Sequence, residues 1–308
     1  MRIIFMGTPD FAVPSLDKLV KNGYHVVGVV TSPDSYGGRG GKLLLQSAVK
    51  KYALQNNLNI LQPEKLRSPE FLEQLKILKA DVQIVVAFRM LPEIVWNMPP
   101  LGTFNLHGSL LPKYRGAAPI NWAIINGEKE TGVTSFKLSH EIDTGDIVMQ
   151  KKISIENDDT AGSLHDKMMH TGAEVILSTV RLLEKGNISF VKQSEELATK
   201  APKIFHDTCQ IEFNNTSESV YNFIRGLSPY PGAWTTLDGY ECKILKAEII
   251  EKSPSKAPGT IETDHKKSLY ISTQDGFISI LELKMEGKRL MDIGTFLNGY
   301  SLKGDTIG

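Results

Sequence analysis

Residues 2–30 read RIIFMGTPDFAVPSLDKLVKNGYHVVGVV. Within this stretch the apolar run Arg2–Met6 predicts a buried strand, and Gly7 begins the turn that follows it. Apolar residues then recur at helical spacing over Pro14–Asn22, and Gly23 supplies a helix stop. His25–Val30 predicts a second buried strand. A strand, a helix and a strand in this order are typical of a parallel α/β sheet.

The same alternation continues along the first half of the chain. Further strands are predicted at Val82–Ala87 and Thr103–Asn105, and helices at Leu43–Leu54 and Glu70–Lys79. A long amphipathic pattern predicts another helix over Thr160–Leu183. Together these elements predict an α/β fold class, with a doubly wound, Rossmann-like N-terminal domain built on a parallel sheet.

A change of pattern marks a second, smaller domain. Residues 193–202 are polar and lack apolar periodicity, which predicts a linker. Beyond them, apart from one helical segment at Ser217–Arg225, the pattern is all-β, and its length favours a small barrel. The predicted division is therefore a first domain at 1–190, a linker at 191–203 and a second domain at 204–308. The β-like runs of the second domain are Trp234–Leu237, Cys242–Ile250, Ser268–Ser272 and Gly276–Leu283.

Charge and composition exclude several classes of protein. The 308 residues include 35 Lys and Arg and 35 Asp and Glu, so the formal net charge is zero. From residue 202 onward there are 12 Lys and Arg against 14 Asp and Glu, a balance of −2. Nucleic acid binding through bulk positive charge is therefore excluded, and any such contact must be local. Apolar residues make up 41% of the chain, and no uninterrupted apolar run approaches the roughly 18 residues that a membrane-spanning helix needs. We therefore expect a globular protein that does not span a membrane.

Cysteine and histidine patterns point to neither disulfides nor metal. Cys209 and Cys242 are too few for a disulfide framework or a four-ligand zinc site, and inert buried thiols in a reducing compartment are expected. The segments around His140 and between His165 and His170 match no zinc spacing. The first residues lack the longer apolar stretch of a secretory signal, so a cytoplasmic location is expected. Because no zipper or repeat pattern is present, we expect a monomer.

Nucleotide-binding signatures are incomplete. The GxGxxG pattern fails after Gly7, and Pro9 removes a backbone N–H from that loop. The glycine-rich stretch at 36–43 ends in Leu43, where a Walker loop needs Ser or Thr. NAD and ATP are therefore not expected, and a dehydrogenase is disfavoured.

Three polar side chains between residues 102 and 146 form a candidate site. Because side chains alternate along a strand, Asn105 and His107 point to the same face, at the carboxyl end of a parallel strand. An amide N–H can stabilise an oxyanion, an imidazole can relay a proton near neutral pH, and Asp143 could orient that imidazole. These groups suit acyl transfer without a covalent intermediate. The residues alone leave a structural alternative open, in which Asn105 and His107 satisfy strand-end hydrogen bonds and Asp143 caps a turn.

Two segments resemble signatures of the 10-formyltetrahydrofolate-dependent formyltransferases. They are NLHGSLLP at 105–112 and IDTGD at 142–146. The opening FMGTPDFAVP at 5–14 and the segment YRGAAPI at 114–120 are also similar to this family, as is the β-rich C-terminal third. The resemblance therefore spans the chain, and it is strongest to the members that act on methionyl-tRNA.

The resemblance implies an enzyme whose catalytic residues are Asn105, His107 and Asp143. The implied reaction moves the formyl group of 10-formyltetrahydrofolate to the α-amino group of methionine esterified to initiator tRNA. By this analogy the amine attacks the formyl carbon directly, Asn105 and His107 stabilise the tetrahedral intermediate, and Asp143 assists proton transfer. Neither a metal nor a covalent enzyme intermediate is implied.

The resemblance also implies binding residues. A loop at 31–42 is implied to reach the tRNA, with Arg39 and Lys42 as the contacts. The C-terminal region would be an OB-like tRNA-binding domain. The folate motif lies on a turn whose Leu111–Pro112 bond is expected to be cis. Its residues are Ser109, Leu110, Leu111 and Pro112.

The sequence departs from the family pattern at one position, and several alternative functions remain open. Arg89, in a segment that borders the implied folate pocket, stands where family members commonly carry Gly. An aminosugar-nucleotide formyltransferase shares the three catalytic residues but would lack the loop with Arg39 and Lys42. Glycinamide ribonucleotide transformylase is shorter and has no C-terminal barrel, and a formyltetrahydrofolate hydrolase is only weakly excluded. A non-catalytic folate- or RNA-binding protein would have no need of the catalytic residues.

Overall fold

The computed structural model describes residues 1–38, 40–254 and 256–307. It divides into two compact units that are interleaved along the chain. The first comprises residues 1–116, 132–153 and 165–200, and the second comprises 117–131, 154–164 and 201–308. The predicted linker at 191–203 and the boundaries drawn around it remain a prediction.

The chain forms α-helices and β-strands in alternation through its first half and mainly strands thereafter. The helices are α1 Val13–Lys21, α2 Ala48–Gln55, α3 Pro69–Ile77, α4 Glu93–Trp96, α5 Pro119–Ile125, α6 Ala161–Glu184, α7 Ser217–Leu227 and α8 Ile293–Gly299. The strands are β1 Arg2–Gly7, β2 His25–Val30, β3 Ser35–Gly37, β4 Leu43–Leu45, β5 Ile60–Leu61, β6 Val82–Val86, β7 Thr103–His107, β8 Arg115–Gly116, β9 Glu130–Lys137, β10 Ile147–Ser154, β11 Lys200–Ala201, β12 Ala233–Leu237, β13 Tyr240–Ile250, β14 Ile261–Thr263, β15 Leu269–Ser272, β16 Phe277–Met285 and β17 Met291–Asp292.

A seven-stranded sheet forms the centre of the first unit, in the order β10-β9-β7-β6-β1-β2-β5. Strands β1, β2, β5, β6 and β7 run parallel. Strand β9 pairs antiparallel with β7, so the sheet is mixed rather than purely parallel, as is common in large α/β sheets. The predicted α/β class is confirmed. The arrangement places the carboxyl end of β7 between β6 and β9.

Burial explains why the central strands read as continuous apolar runs. Ile3, Ile4, Phe5 and Met6 are each at most 1% exposed, because both faces of a sheet in an α/β fold are covered. Ile4 and Met6 share one core cluster with Phe71 of α3. The strand pattern of residues 2–6 therefore reflects real burial on both sides.

The helix predicted at Leu43–Leu54 is wrong in its first part. Leu43–Leu45 is instead strand β4, which pairs antiparallel with β3. The helix α2 begins after Ser47, whose Oγ accepts a hydrogen bond from Lys50 N at 3.0 Å as an N-cap. Because the three leucines are all exposed, their apolar character does not report a helix face packed on a core.

The second unit is built on an antiparallel sheet in the order β12-β13-β16-β15-β14, with β17 paired to β16. The prediction of a separate, strand-rich C-terminal domain is therefore confirmed, and its strands pair antiparallel. Its core includes Ile244 and Ile280 from the strands and Ile224 from α7. Helix α8 was not predicted, although Asp292 caps it by accepting from Thr295 N at 2.9 Å.

Both cysteines are buried thiols in this second unit, at 1% exposure each. Burial raises the pKa of Cys242 to about 12 and also raises the pKa of Cys209. Since the thiolate is the reactive form, we expect neither cysteine of the native protein to react with Ellman's reagent at pH 8 within minutes. In guanidinium both should react. Rapid release of even one equivalent from the native protein would contradict this assignment.

None of the helices described here is both long and apolar enough to cross a membrane.

Candidate active site

Strand β7 carries the two residues that begin the site. It pairs with β6 on one side, where Asn105 lies opposite Val85, and with β9 on the other, where His107 lies opposite Thr134. Because residues two apart on a strand share a face, Asn105 and His107 project together at its carboxyl end. His107 is 6% exposed and Asn105 is half-buried. The backbone of β7 is thus fixed by its pairing with the neighbouring strands.

The two ring nitrogens of His107 face different acceptors. Nε2 donates to the carbonyl oxygen of Tyr114 at 2.8 Å, and Nδ1 lies 3.6 Å from Oδ2 of Asp143. The ring is thus held between the Tyr114 carbonyl oxygen and the Asp143 carboxylate.

The loop that carries Asp143 has a backbone conformation that few residue types can adopt. Asp143 has φ of 58°, a left-handed conformation that costs most residues energy. Its Oδ2 also accepts from Gly116 N at 2.9 Å, and its side chain is 12% exposed. At Gly145 a Cβ would lie 1.7 Å from the carbonyl oxygen of Lys137, so only glycine fits there. The Asp-Thr-Gly part of the motif therefore reflects a tight turn as well as the carboxylate.

The amide of Asn105 is available to a ligand. Within residues 1–38, 40–254 and 256–307, no hydrogen bond to its side chain is found. A half-buried amide without a protein partner can direct its N–H groups at a developing negative charge. This argues against the structural alternative in which Asn105 merely satisfies a strand end.

The turn after β7 is held by side chains of β9 and β10. Thr134 Oγ1 donates to the carbonyl of Ser109 at 2.6 Å and accepts from Leu111 N at 3.1 Å. Gln150 Nε2 donates to the carbonyl of Leu111 at 2.8 Å. The Leu111–Pro112 bond is cis, as expected. Leu111 packs in a small buried cluster, and Leu110 is half-buried, so the turn that carries the implied folate motif is well ordered by its surroundings.

Of the two implied tRNA contacts, Arg39 lies outside the described residues. Lys42 is exposed and lies immediately before β4, which pairs with β3 in a hairpin. The base of this hairpin is anchored by Asp34, whose Oδ2 is 2.5 Å from Nζ of Lys50 and whose Oδ1 accepts from Gln62 Nε2 at 2.8 Å. The hydrogen bond from Lys50 lowers the pKa of Asp34. The hairpin is thus tied to α2 and to the segment after β5.

We expect Lys50→Met to loosen this hairpin. Without the ammonium group Asp34 loses its cation, and local opening should expose the bond after Lys42 to trypsin about threefold more often. Lys51→Met is the matched control, because Lys51 is exposed on the same helix. Cleavage after Lys42 can be timed by mass spectrometry. Equal rates for the two variants would show that the ion pair does not hold the hairpin.

Arg89 braces the backbone of the segment after β5. Its NH1 donates to the carbonyl of Glu64 at 2.9 Å and its NH2 donates to the carbonyl of Pro63. Although Arg89 is exposed overall, partial burial of its guanidinium lowers its pKa. A glycine here would leave both carbonyls without this donor, so the departure from the family pattern has a structural use in this chain.

The segment expected to be a linker contributes contacts that the sequence did not reveal. Thr199 Oγ1 accepts from Tyr114 N at 2.8 Å, and Gln193 Nε2 donates to the carbonyl of Asp143 at 2.8 Å. The segment is polar and lacks apolar periodicity, which is also true of a solvated linker. No local signal distinguishes the two cases. Among the described residues, no group of three or more His, Cys, Asp or Glu is arranged to hold a metal ion.

Comparison with known proteins defines the class. The family model described as formyl transferase matches residues 1–180, and the one described as formyl transferase, C-terminal domain matches residues 203–301. The chain therefore belongs to the formyl transferase family. The family resemblance seen in the sequence is confirmed, and so is the prediction that the chain is a formyl-transferring enzyme.

Curated relatives narrow the comparison to one kind of formyltransferase. A methionyl-tRNA formyltransferase of Parabacteroides distasonis is 53% identical over 311 residues, covering 97% of this chain and 96% of the relative. A protein of the same name from Bacteroides fragilis is 51% identical over 312 residues, covering 98% and 96%. One from Flavobacterium johnsoniae is 48% identical over 306 residues, again covering 98% and 96%.

Solved structures share the fold at lower identity. The sugar 3N-formyl transferase WlaRD, solved with dTDP and 5-N-formyl-THF, has a TM-score of 0.68 at 23% identity and covers 94% of this chain and 99% of its own. HypX from Aquifex aeolicus in complex with tetrahydrofolic acid has a TM-score of 0.67 at 20% identity, over 97% of this chain and 48% of HypX. A methionyl-tRNA formyltransferase from Clostridium thermocellum has a TM-score of 0.57 at 18% identity, over 81% and 94%.

Proposed function

We propose that this chain transfers the formyl group of 10-formyltetrahydrofolate to the α-amino group of methionyl initiator tRNA. The observation that carries the proposal is the unpartnered Asn105 amide on the same strand face as a His107 ring paired with Asp143. The substrate is supported by relatives at about half identity over the full chain, all named for methionyl-tRNA. The folate donor is supported by family structures whose descriptions include tetrahydrofolate compounds.

In the proposed reaction the free amine attacks the formyl carbon, and a C–N bond forms as the carbonyl oxygen becomes an oxyanion. Asn105 donates an N–H to that oxyanion, and the positive charge of His107 stabilises it further. Asp143 accepts the proton released from the attacking nitrogen. The bond between the formyl carbon and N10 of the folate then breaks, N10 takes up a proton, and tetrahydrofolate leaves.

Folate would be held by the turn after β7. The residues Ser109, Leu110, Leu111 and Pro112 supply backbone groups and apolar surface for a planar ring. Thr134 and Gln150 fix this turn through the hydrogen bonds described above, so the pocket wall is preorganised.

The tRNA would be held by two surfaces. Lys42, next to strand β4, and Arg39, three residues before it in the sequence, would supply cations for phosphates or unpaired bases. On the 204–308 domain, which has no net positive charge, local clusters of lysine and arginine would bind the tRNA phosphates. The clusters are Lys243 with Lys246, Lys266 with Lys267, and Lys284 with Lys288 and Arg289.

We further propose that the enzyme is a monomer acting in the cytoplasm, where charged initiator tRNA is present.

The test is formyl transfer from 10-formyltetrahydrofolate with four parallel acceptors. These are methionyl initiator tRNA, uncharged tRNA, a nucleotide-linked aminosugar and water alone. Formylated methionyl-tRNA as the sole product is expected. Transfer to the sugar would instead support the function of the similarly folded sugar formyltransferase, and formate release without acceptor would support a hydrolase.

A further inference from the structure

Gln193 makes an unusual set of contacts with the loop of Asp143. Its Nε2 donates to two carbonyl oxygens, those of Asp143 and Gly145, at 2.8 Å each. One side chain thus spans both sides of Thr144 in the turn. Since Asp143 holds a positive φ, its backbone needs such bracing to persist.

Arg115 determines which way the Gln193 amide points. Its Nε and NH2 both donate to Oε1 of Gln193, at 3.0 and 2.9 Å. A guanidinium only donates, so the oxygen of the amide must face Arg115 and the NH2 group must face the loop. The orientation of the amide is therefore fixed by chemistry rather than by fit alone.

Glu195 completes the chain of contacts. Its two carboxylate oxygens accept from NH1 and NH2 of Arg115 at 2.8 Å each, in a bidentate pair. Arg115 is 13% exposed while Glu195 is 73% exposed, so the pair lies at the surface end of the network. The residue after Arg115, Gly116, donates its N–H to Oδ2 of Asp143. Asp143 is thus held through its backbone by Gln193 and through its carboxylate by Gly116.

We propose that Gln193, oriented by Arg115 and Glu195, is a positioning residue that holds the Asp143 carboxylate against His107. The inference rests on the proposed function, in which Asp143 accepts the proton from the amine. Gln193 does not touch substrate. It acts by keeping the Asp143 carboxylate 3.6 Å from His107 Nδ1, the position from which Asp143 is proposed to accept the proton of the amine.

Two substitutions of Gln193 distinguish the hydrogen bonds that it donates to the loop from its packing. Gln193→Leu removes all polar contacts, whereas Gln193→Glu keeps an acceptor for Arg115 but cannot donate to the two carbonyls. We expect both to lower kcat about 10²-fold with the KM for tRNA and for folate changed less than about twofold. A Gln193→Glu enzyme with wild-type kcat, or a loss confined to KM, would overturn the proposal.

The surface end of the network has a matched control. Glu195→Gln should lower kcat only about threefold relative to wild type, because an exposed ion pair is worth little. At high salt this difference from wild type should shrink, because salt screens the ion pair. Glu196→Gln should leave kcat unchanged, since Glu196 is an exposed neighbour without an ion pair among the described residues. Equal effects of the two variants would remove Glu195 from the network.

A double-mutant cycle tests whether Gln193 acts through Asp143. In single-turnover experiments Gln193→Leu should slow the wild-type enzyme but add less than about twofold to Asp143→Asn. A full additional loss in the Asp143→Asn background would show that Gln193 acts elsewhere and would overturn the inference. Near-normal activity of Asp143→Asn alone would instead refute the proposed role of Asp143. The two failures are therefore distinguishable.

Discussion

An Asn105→Ala enzyme is expected to lose about 10²–10³ in kcat, because one amide donor to the developing oxyanion disappears. The half-buried side chain of Asn105 makes no hydrogen bond to the described protein, so folding should be little affected. We expect the free energy of unfolding to change by less than about 1 kcal/mol. Single-turnover formyl transfer and urea unfolding measure the two quantities on the same preparation.

His107→Asn provides the complementary measurement. It removes the imidazole but leaves a group able to hydrogen-bond, and we again expect kcat to fall by about 10²–10³. Since His107 is buried and donates to the Tyr114 carbonyl, this variant should also lose stability, by about 1–2 kcal/mol. If either Asn105→Ala or His107→Asn turned over within about threefold of wild type, the proposed mechanism would be wrong.

Gly145→Ala is the second change for which a large effect is expected. The added Cβ would lie 1.7 Å from the carbonyl oxygen of Lys137, a separation that no rotamer change can relieve. The backbone of the loop must therefore move, and Asp143, two residues before, would move with it. A displacement of about 1 Å in a catalytic group can cost about 10²-fold in rate, which is the loss we expect in kcat.

The control for this variant is Gly299→Ala. At Gly299 an added Cβ meets nothing within 4 Å, and no positive φ is involved, so activity should not change. Folate binding followed by fluorescence reports whether the Gly145→Ala protein keeps its folded pocket. Wild-type kcat for Gly145→Ala would mean that the loop tolerates displacement and that its geometry does not set the rate.

Local periodicity in the sequence was sufficient for the central elements. Strand β2 has the predicted bounds, and β1, β6 and α1 lie within one or two residues of their predictions. These elements are buried against their neighbours along most of their length, so burial and sequence pattern coincide. The placement of Asn105 and His107 on one face of β7 follows from strand alternation in the same way.

Strand β9 escaped prediction because polar residues occupy buried positions in it. Thr134 and Ser135 are fully buried, which the pattern of a core strand does not suggest. Their hydroxyl groups are satisfied by distant partners: Thr134 binds the carbonyl of Ser109, and Ser135 is 2.7 Å from the hydroxyl of Thr179. The burial of a polar residue becomes intelligible only when its partner, remote in sequence, is known.

By itself the sequence determined the class of domain, the strand that carries Asn105 and His107 and, through its motifs, the family. Only the tertiary structure brought Asp143 within 3.6 Å of His107 and showed that Gln193, from a stretch that reads as a linker, holds the Asp143 loop. Helical and strand periods are properties of neighbouring residues, so they can be read locally. Hydrogen bonds between residues 50 apart leave no periodic trace, because one suitable polar side chain, here that of Gln193, can bond to a backbone carbonyl of any residue.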